Sequence, residues 1–355
     1  MNRIYNGLFH YMDINSIIVY SYKTGKFYLI NYNSISISLK NKFNGLGGKV
    51  FFSEEETIEI IEKAQNPNHI DIKQFNYPAV LGIMATNKCN LECTYCIANN
   101  GNSYSKKDNF SEVSKYIIDN LKGSSIVSVM VSGGEPTLYK DLPPFLTELS
   151  KNNCLILLDT NGTLINNELL NTIKSTIVIP RISLDSICKE EHNINRGMFD
   201  VTLSNIIKLR NNSIDIRINT VLNKSNAKNI DKLADWICGC GIKKWHIFKL
   251  QSNFAPERIR LSENETISIL SKLQKLYGNN IDILYKFSKK NDGYSSFVID
   301  SEGNCFSTKS YDGNAQKIIW GNITQQSLDK IWQSTPINYR LRHYNKYLSY
   351  KDKIL

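Results

Sequence analysis

Short runs rich in Val and Ile, each followed by a stretch of helical spacing, predict an α/β fold. The expected form is a partial (β/α)6 TIM-like barrel with a small N-terminal α+β module and a C-terminal cap. Two observations carry this reading. The alternation starts near residue 80 and repeats through six runs: Val80 to Ala85, Ile126 to Val131, Leu155 to Asp159, Val178 to Leu184, Ile214 to Val221 and Lys244 to Leu250. The residues before 75 and after 255 follow other patterns, which divides the chain into 1–75, 76–255 and 256–355.

In the first part, SIIVYSYKTGKFYLINYN reads as two strands around a Lys-Thr-Gly-Lys turn. SEEETIEIIEKAQ follows as a helix capped by Ser53. The stretch 66–77, with Pro67 near its start and Pro78 just after it, reads as a linker. In the second part, helical patterns near 111–122, 143–152, 166–174, 200–211 and 227–238 separate the strand runs. Each connection is long enough for a right-handed crossover, so the strands should be parallel. Six units do not close an eight-unit barrel, and the gap leaves room for a large substrate. In the third part, SSFVIDSEGNCFSTKS reads as a hairpin turning at Ser301 to Asn304, and GNITQQSLDKIW as a turn into a helix capped near Thr324.

Composition narrows the function. The 355 residues are 41% hydrophobic and 21% charged, enough for a full core. No run approaches the roughly 20 apolar residues of a membrane helix, and the N-terminus lacks a secretory profile, so a cytoplasmic location is expected. Eight cysteines in this length suit ligands or free thiols better than a disulfide framework. The charge of +10 suits an acidic peptide or nucleic acid, but the lysines are scattered and the aromatics are not interleaved with them as a single-strand binder requires. Nucleic acid is therefore not the expected partner.

The chemistry concentrates in ATNKCNLECTYCIANN, where Cys89, Cys93 and Cys96 share one loop directly after the first barrel strand. A cubane cluster usually takes four thiolates, so three leave one iron open to a small molecule. The competing reading is a structural zinc knot, which needs a fourth Cys or His that this stretch lacks. At the end of the second strand, VMVSGGEPTLY places two glycines and a carboxylate.

The CxxxCxxC spacing, with Tyr95 before the third cysteine, together with Gly133, Gly134 and Glu135, resembles the radical S-adenosylmethionine (SAM) superfamily over residues 80–250. The resemblance implies a [4Fe–4S] cluster held by Cys89, Cys93 and Cys96, and SAM bound at its open iron. Cofactor-binding residues would include Tyr95 in the cluster loop. Gly133 and Gly134 would admit the methionine end of SAM, and Glu135 would pair with its amino group. Ser183 would lie near the ribose or carboxylate, Arg196 would fork onto the carboxylate, and Asn219 would approach the ribose or adenine. Reduction of the cluster would cleave SAM to methionine and a 5′-deoxyadenosyl radical that abstracts hydrogen from the substrate, with a flavodoxin or ferredoxin as electron donor.

The C-terminal pattern resembles the SPASM and twitch caps of peptide-modifying members, although Cys305 alone cannot build a second cluster. The N-terminal part loosely resembles winged-helix modules that bind leader peptides by strand addition. A ribosomally made precursor peptide is therefore the expected substrate, altered by epimerisation or cross-linking. A small molecule or nucleotide, as in the viperin group, is the alternative. Cys154, Cys238 and Cys240 precede strands and belong on the opposite face from the mouth. Cys188 and Cys305 are the candidates for a catalytic hydrogen-atom donor. Lys249 and Gln251 lie toward the mouth, and His246 nearer the entry end of the sixth strand.

Overall fold

A 10-stranded sheet organises the chain. The computed structural model describes residues 6–12, 15–45, 48–67, 73, 75–96, 108–250, 256–286, 296–311 and 314–349. Before the large sheet come β1 (Gly7–Tyr11), β2 (Ser16–Ser21), β3 (Lys26–Asn31), α1 (Ile37–Gly45), β4 (Lys49–Val50) and α2 (Glu54–Glu62). The turn between β2 and β3 places Gly25 at φ +68°, where a side chain is disfavoured. Helix α2 opens with a complete Ser53–Glu56 capping box. Part of the expected linker, residues 68–72 and 74, lies outside the described residues.

The six runs become consecutive parallel strands: β5 (Val80–Met84), β6 (Ser128–Ser132), β7 (Leu155–Thr160), β8 (Val178–Ser183), β9 (Arg217–Leu222) and β10 (Lys244–Lys249). Their connections carry α3 (Phe110–Leu121), α4 (Leu142–Ser150), α5 (Asn167–Ser175), α6 (Lys189–Asn195), α7 (Phe199–Asn211), α8 (Lys224–Ala227) and α9 (Ile230–Gly239). After α10 (Glu263–Tyr277), a seventh parallel strand, β11 (Asp282–Lys286), extends one edge beyond the six expected units. At the other edge β12 (Val298–Ile299) pairs parallel with β5. It turns through Gly303, at φ +84°, into the antiparallel hairpin β13 (Asn304–Tyr311) and β14 (Asn314–Asn322). The sheet stays open, an α/β partial barrel.

The helix after β14 does not start at Thr324 as expected. Its hydroxyl and amide both donate to Asn322 Oδ1, closing a local turn, and α11 (Leu328–Ser334) begins after Ser327. Helix α12 (Ile337–Tyr347) follows, and Trp332 Nε1 and Tyr344 OH donate to the carbonyls of Phe75 and Tyr77 just ahead of β5. The chain then adds β15 (Leu348–Ser349) to the N-terminal sheet, whose order is β15-β3-β2-β1-β4. No described helix is long and apolar enough to cross a membrane.

Register sets what faces inward. Asp159, Arg181, Arg217 and Lys244 form one cross-strand row, and two residues further Ser183, Asn219 and His246 form the next. Alternation places both rows on one face of the sheet. Residues between them, such as Ile182, Ile218 and Trp245, face the helices and are wholly buried. Each inner cation has a polar partner: Arg181 pairs with Asp159, Lys244 Nζ lies 3.0 Å from Asp282, and Arg217 Nη2 donates to Tyr20 OH at 2.5 Å.

Tyr20 belongs to the N-terminal sheet, so that sheet closes the barrel floor. One of its faces, with Leu8, Ile18, Tyr20 and Leu29, joins the main core, while Ile17, Val19, Tyr28 and Ile30 form a second core under α1 and α2. Replacing Tyr20 with Phe leaves a buried guanidinium short of its acceptor. The expected loss is about 1.5–3 kcal/mol of stability in denaturant titration, because the bond is to a charged group.

Candidate active site at the barrel mouth

Cys89, Cys93 and Cys96 leave β5 on an irregular loop that the next βα turn grips through its backbone. Gly134 N donates to Thr86 O at 2.8 Å and Glu135 N to Lys88 O at 2.7 Å. A Cβ on Gly133 would lie 2.3 Å from Thr86 O, and one on Gly134 would lie 2.1 Å from Lys88 O. Gly133 also sits at φ +141°. The cysteine loop itself therefore requires both glycines, a reason the sequence reading did not supply.

The Glu135 side chain is 1% exposed and almost fully engaged within the protein. Its Oε1 accepts from Thr137 N, Thr137 Oγ1 and Thr160 Oγ1 at 3.1, 2.6 and 2.6 Å. Its Oε2 accepts from Asn161 N at 2.7 Å. Burial pushes this carboxyl above its ordinary range, and the four donors oppose that shift. Asn161 also reaches Asn90 between the first two cysteines, so the ends of β6 and β7 hold the loop together.

A third element closes on the loop from β8 and α6. Asp185, two residues past Ser183 and fully buried, accepts Val221 N at 3.0 Å on Oδ1 and the Tyr95 hydroxyl on Oδ2. Arg196 Nε lies 3.0 Å from the same Oδ2. The guanidinium is 5.3 Å from the Tyr95 ring centre, and its Nη1 points at Cys93 Sγ, 4.0 Å away. Thr94 donates through its amide and its hydroxyl to Asn195, both at 3.0 Å. His192 Nδ1 accepts from Asp185 N, which makes this ring neutral with its proton on Nε2. Burial pushes its pKa down to about 4.

Residues 83–237 match the family model described as the radical SAM superfamily. The GTP 3′,8-cyclase of Clostridium botulinum is 30% identical over 247 residues, 63% of this chain and 74% of that protein. The chain belongs to the radical SAM superfamily. Another relative, the Fe-coproporphyrin III synthase of Methanosarcina barkeri, is 30% identical over 174 residues. That match takes in 48% of this chain, which spans less than half (43%) of that relative. Among solved structures, Streptococcus suis SuiB bound to precursor peptide SuiA superposes with a TM-score of 0.69 at 15% identity. It covers 96% of this chain and 93% of that one, and so shows a shared fold.

The cofactors of this radical SAM enzyme are a [4Fe–4S] cluster and SAM, and the donor set fits them. All three loop cysteines are free and partly exposed. Leu91 N donates to Cys89 Sγ at 3.4 Å, a contact that suits a thiolate. Burial pushes the Cys93 thiol up to about 11, and the nearby Arg196 guanidinium opposes that shift. Among the described residues no three His, Cys, Asp or Glu side chains are arranged to hold a single metal ion. A cubane takes one thiolate per iron and needs no such convergence. Asn219 donates to Asp159 at 3.0 Å, while its buried Oδ1 has no partner on the inner face, as an acceptor awaiting a ligand hydroxyl or amine would. Ser183 is its register neighbour.

Two expected assignments change. The Tyr95 side chain does not face a cofactor cavity. It is 7% exposed, packed with Leu250 and Ile259, and tethered to Asp185, so it anchors the loop from behind. Cys305 does not face a substrate either. It pairs with Ile299, which pairs with Ile83, and that register turns it to the helix-covered side at 0% exposure. A buried thiol in the core cannot deliver hydrogen to a substrate at the mouth. Cys188 caps α6 beyond β8 and is partly exposed. Cys154 precedes β7, and Cys238 and Cys240 precede β10, at the floor end of the strands. His246 is 8% exposed on the inner face, and Gln251 lies outside the described residues.

Sequence reasoning missed Asp185, His192, Asn195 and Thr94. The usable signal was the run Ser183-Leu184-Asp185 at a strand end, with His192 on the following helix and Arg196 four residues later at its C-cap. Gly134→Ala places a methyl against the Lys88 carbonyl and displaces the cysteine loop. The expected result is a folded protein that, after anaerobic reconstitution, retains less than about a tenth of wild-type iron and sulfide, a loss worth about 1.4 kcal/mol or more in cluster affinity.

Proposed function

We propose that the protein reductively cleaves SAM and uses the resulting 5′-deoxyadenosyl radical to abstract hydrogen from a ribosomally made peptide, leading to epimerisation or a cross-link. The observation that carries the peptide reading is whole-chain likeness. Similarity to SuiB, solved with the precursor peptide SuiA, extends over 96% of this chain. It therefore takes in most of the N-terminal sheet and the C-terminal hairpin as well as the barrel.

When bound, the cluster and SAM supply the electron and the radical. The chain's own residues hold and aim them. Cys89, Cys93 and Cys96 supply the thiolates, and Oε2 of Glu135, which carries one protein hydrogen bond, is the oxygen suited to an ammonium group. Ser183 and Asn219, neighbours on the inner face, would approach the ribose and adenine, and Cys188 would be the thiol that returns a hydrogen atom if epimerisation is the outcome. A leader peptide would add to the N-terminal sheet. The β3 edge is already paired with β15 and with Ala64 and Gln65. A cytoplasmic location and a flavodoxin or ferredoxin donor belong to the same proposal.

Turnover of a nucleotide is the second reading, favoured by 30% identity to a GTP 3′,8-cyclase. Both are tested by incubating the reconstituted protein with SAM, dithionite and short peptides encoded beside its gene, in deuterated buffer. The expected outcome is formation of 5′-deoxyadenosine, with a peptide that either gains deuterium at a carbon or loses two hydrogen atoms. Unchanged peptides together with consumption of GTP would replace the peptide reading by the nucleotide one.

A further inference from the structure

We propose that Arg196, braced by Asp185 and Tyr95, tunes the cluster: its guanidinium faces the Cys93 thiolate and makes the cluster easier to reduce. The sequence assigned this arginine to a SAM carboxylate. The geometry points it at the cluster loop.

The arrangement is over-determined. The Arg196 side chain is 11% exposed and that of Asp185 is 0% exposed, so solvent screens their charges little. Asp185 is itself fixed by Val221 N, by the Tyr95 hydroxyl and by its own amide on His192. The guanidinium is thereby aimed from two sides: Nε rests on the carboxylate, and Nη1 approaches Cys93 Sγ at 4.0 Å over the Tyr95 ring. Reduction adds one negative charge to a cluster ligated by that sulfur. Of the two buried charges, the cation is the one that directly contacts the sulfur, and Coulomb attraction falls with distance. Hydrogen bonds and charge at cluster sulfurs are established levers on potential. Asp185 limits the effect by offsetting the cation while holding it in place.

The proposal rests on cluster binding by the three cysteines, and its test separates the two claims. Wild type, Arg196→Gln, Arg196→Lys and Asp185→Asn are reconstituted anaerobically and assayed for iron and sulfide. They are then titrated with dithionite and mediators, without SAM, following the reduced cluster by EPR. Arg196→Gln is expected to lower the reduced-to-oxidised ratio at a fixed poise about tenfold, a midpoint about 59 mV more negative for one electron. Arg196→Lys should shift it less, and Asp185→Asn should shift it the opposite way, because it leaves the cation uncompensated. Arg196→Gln with wild-type iron and an unchanged midpoint overturns the proposal, and weakened SAM binding in that same variant would restore the carboxylate role. If every variant stays folded by thermal unfolding yet loses its cluster, the residues assemble the loop, and tuning is likewise overturned. A wild-type protein that binds no cluster would instead refute the family-level reading.

Discussion

The site depends on the approach of two backbones. Residues 86–88 and 133–135 come within hydrogen-bonding distance only because Gly133 and Gly134 have no Cβ. This contact fixes where the cysteine loop leaves β5, and the Glu135 carboxylate continues the link to Thr160 and Asn161 at the end of β7. The C-terminal edges of three adjacent strands thus become one rigid cradle. Such a cradle would let the three cysteines share a cluster without a helix or strand of their own.

The opposite wall is electrostatic. Asp185, Arg196 and Tyr95 form a buried, mutually contacting group that packs behind the second and third cysteines from the β8 side. A buried ion pair is weak evidence for added stability, because desolvation offsets much of the attraction. Its value lies in position: it keeps a cation beside the Cys93 sulfur. Further down the same sheet face, Asp159, Arg181, Arg217 and Lys244 form a second charged layer, sealed by the N-terminal sheet through Tyr20. The module at the floor and the chemistry at the mouth therefore share one sheet.

Much of this was legible in the sequence, for identifiable reasons. Six Val- and Ile-rich runs at regular spacing became six parallel strands, since buried strands carry continuous apolar signals. The cysteine spacing and Gly-Gly-Glu also stood out, because each is chemically unusual. Strands β12 and β15 were not legible, since two residues hold no period and their pairing is decided by partners far away in the chain. Strand β11 was hidden because its sequence, DILYK, carries charge at both ends. Tyr95, Arg196 and Cys305 were recognised as notable, but where their side chains point follows from register and from Asp185, which as a lone acid after a strand looks like a helix cap. Side-chain direction was the information the sequence withheld.

A cluster held in this cradle would keep one iron open to SAM. EPR of the reconstituted, dithionite-reduced protein before and after addition of SAM tests it most directly. The expected result is a [4Fe–4S]+ signal whose g-values change when SAM is added, because its amino and carboxylate groups would coordinate the open iron. Identical spectra with and without SAM, from protein shown to contain the cluster, would contradict it.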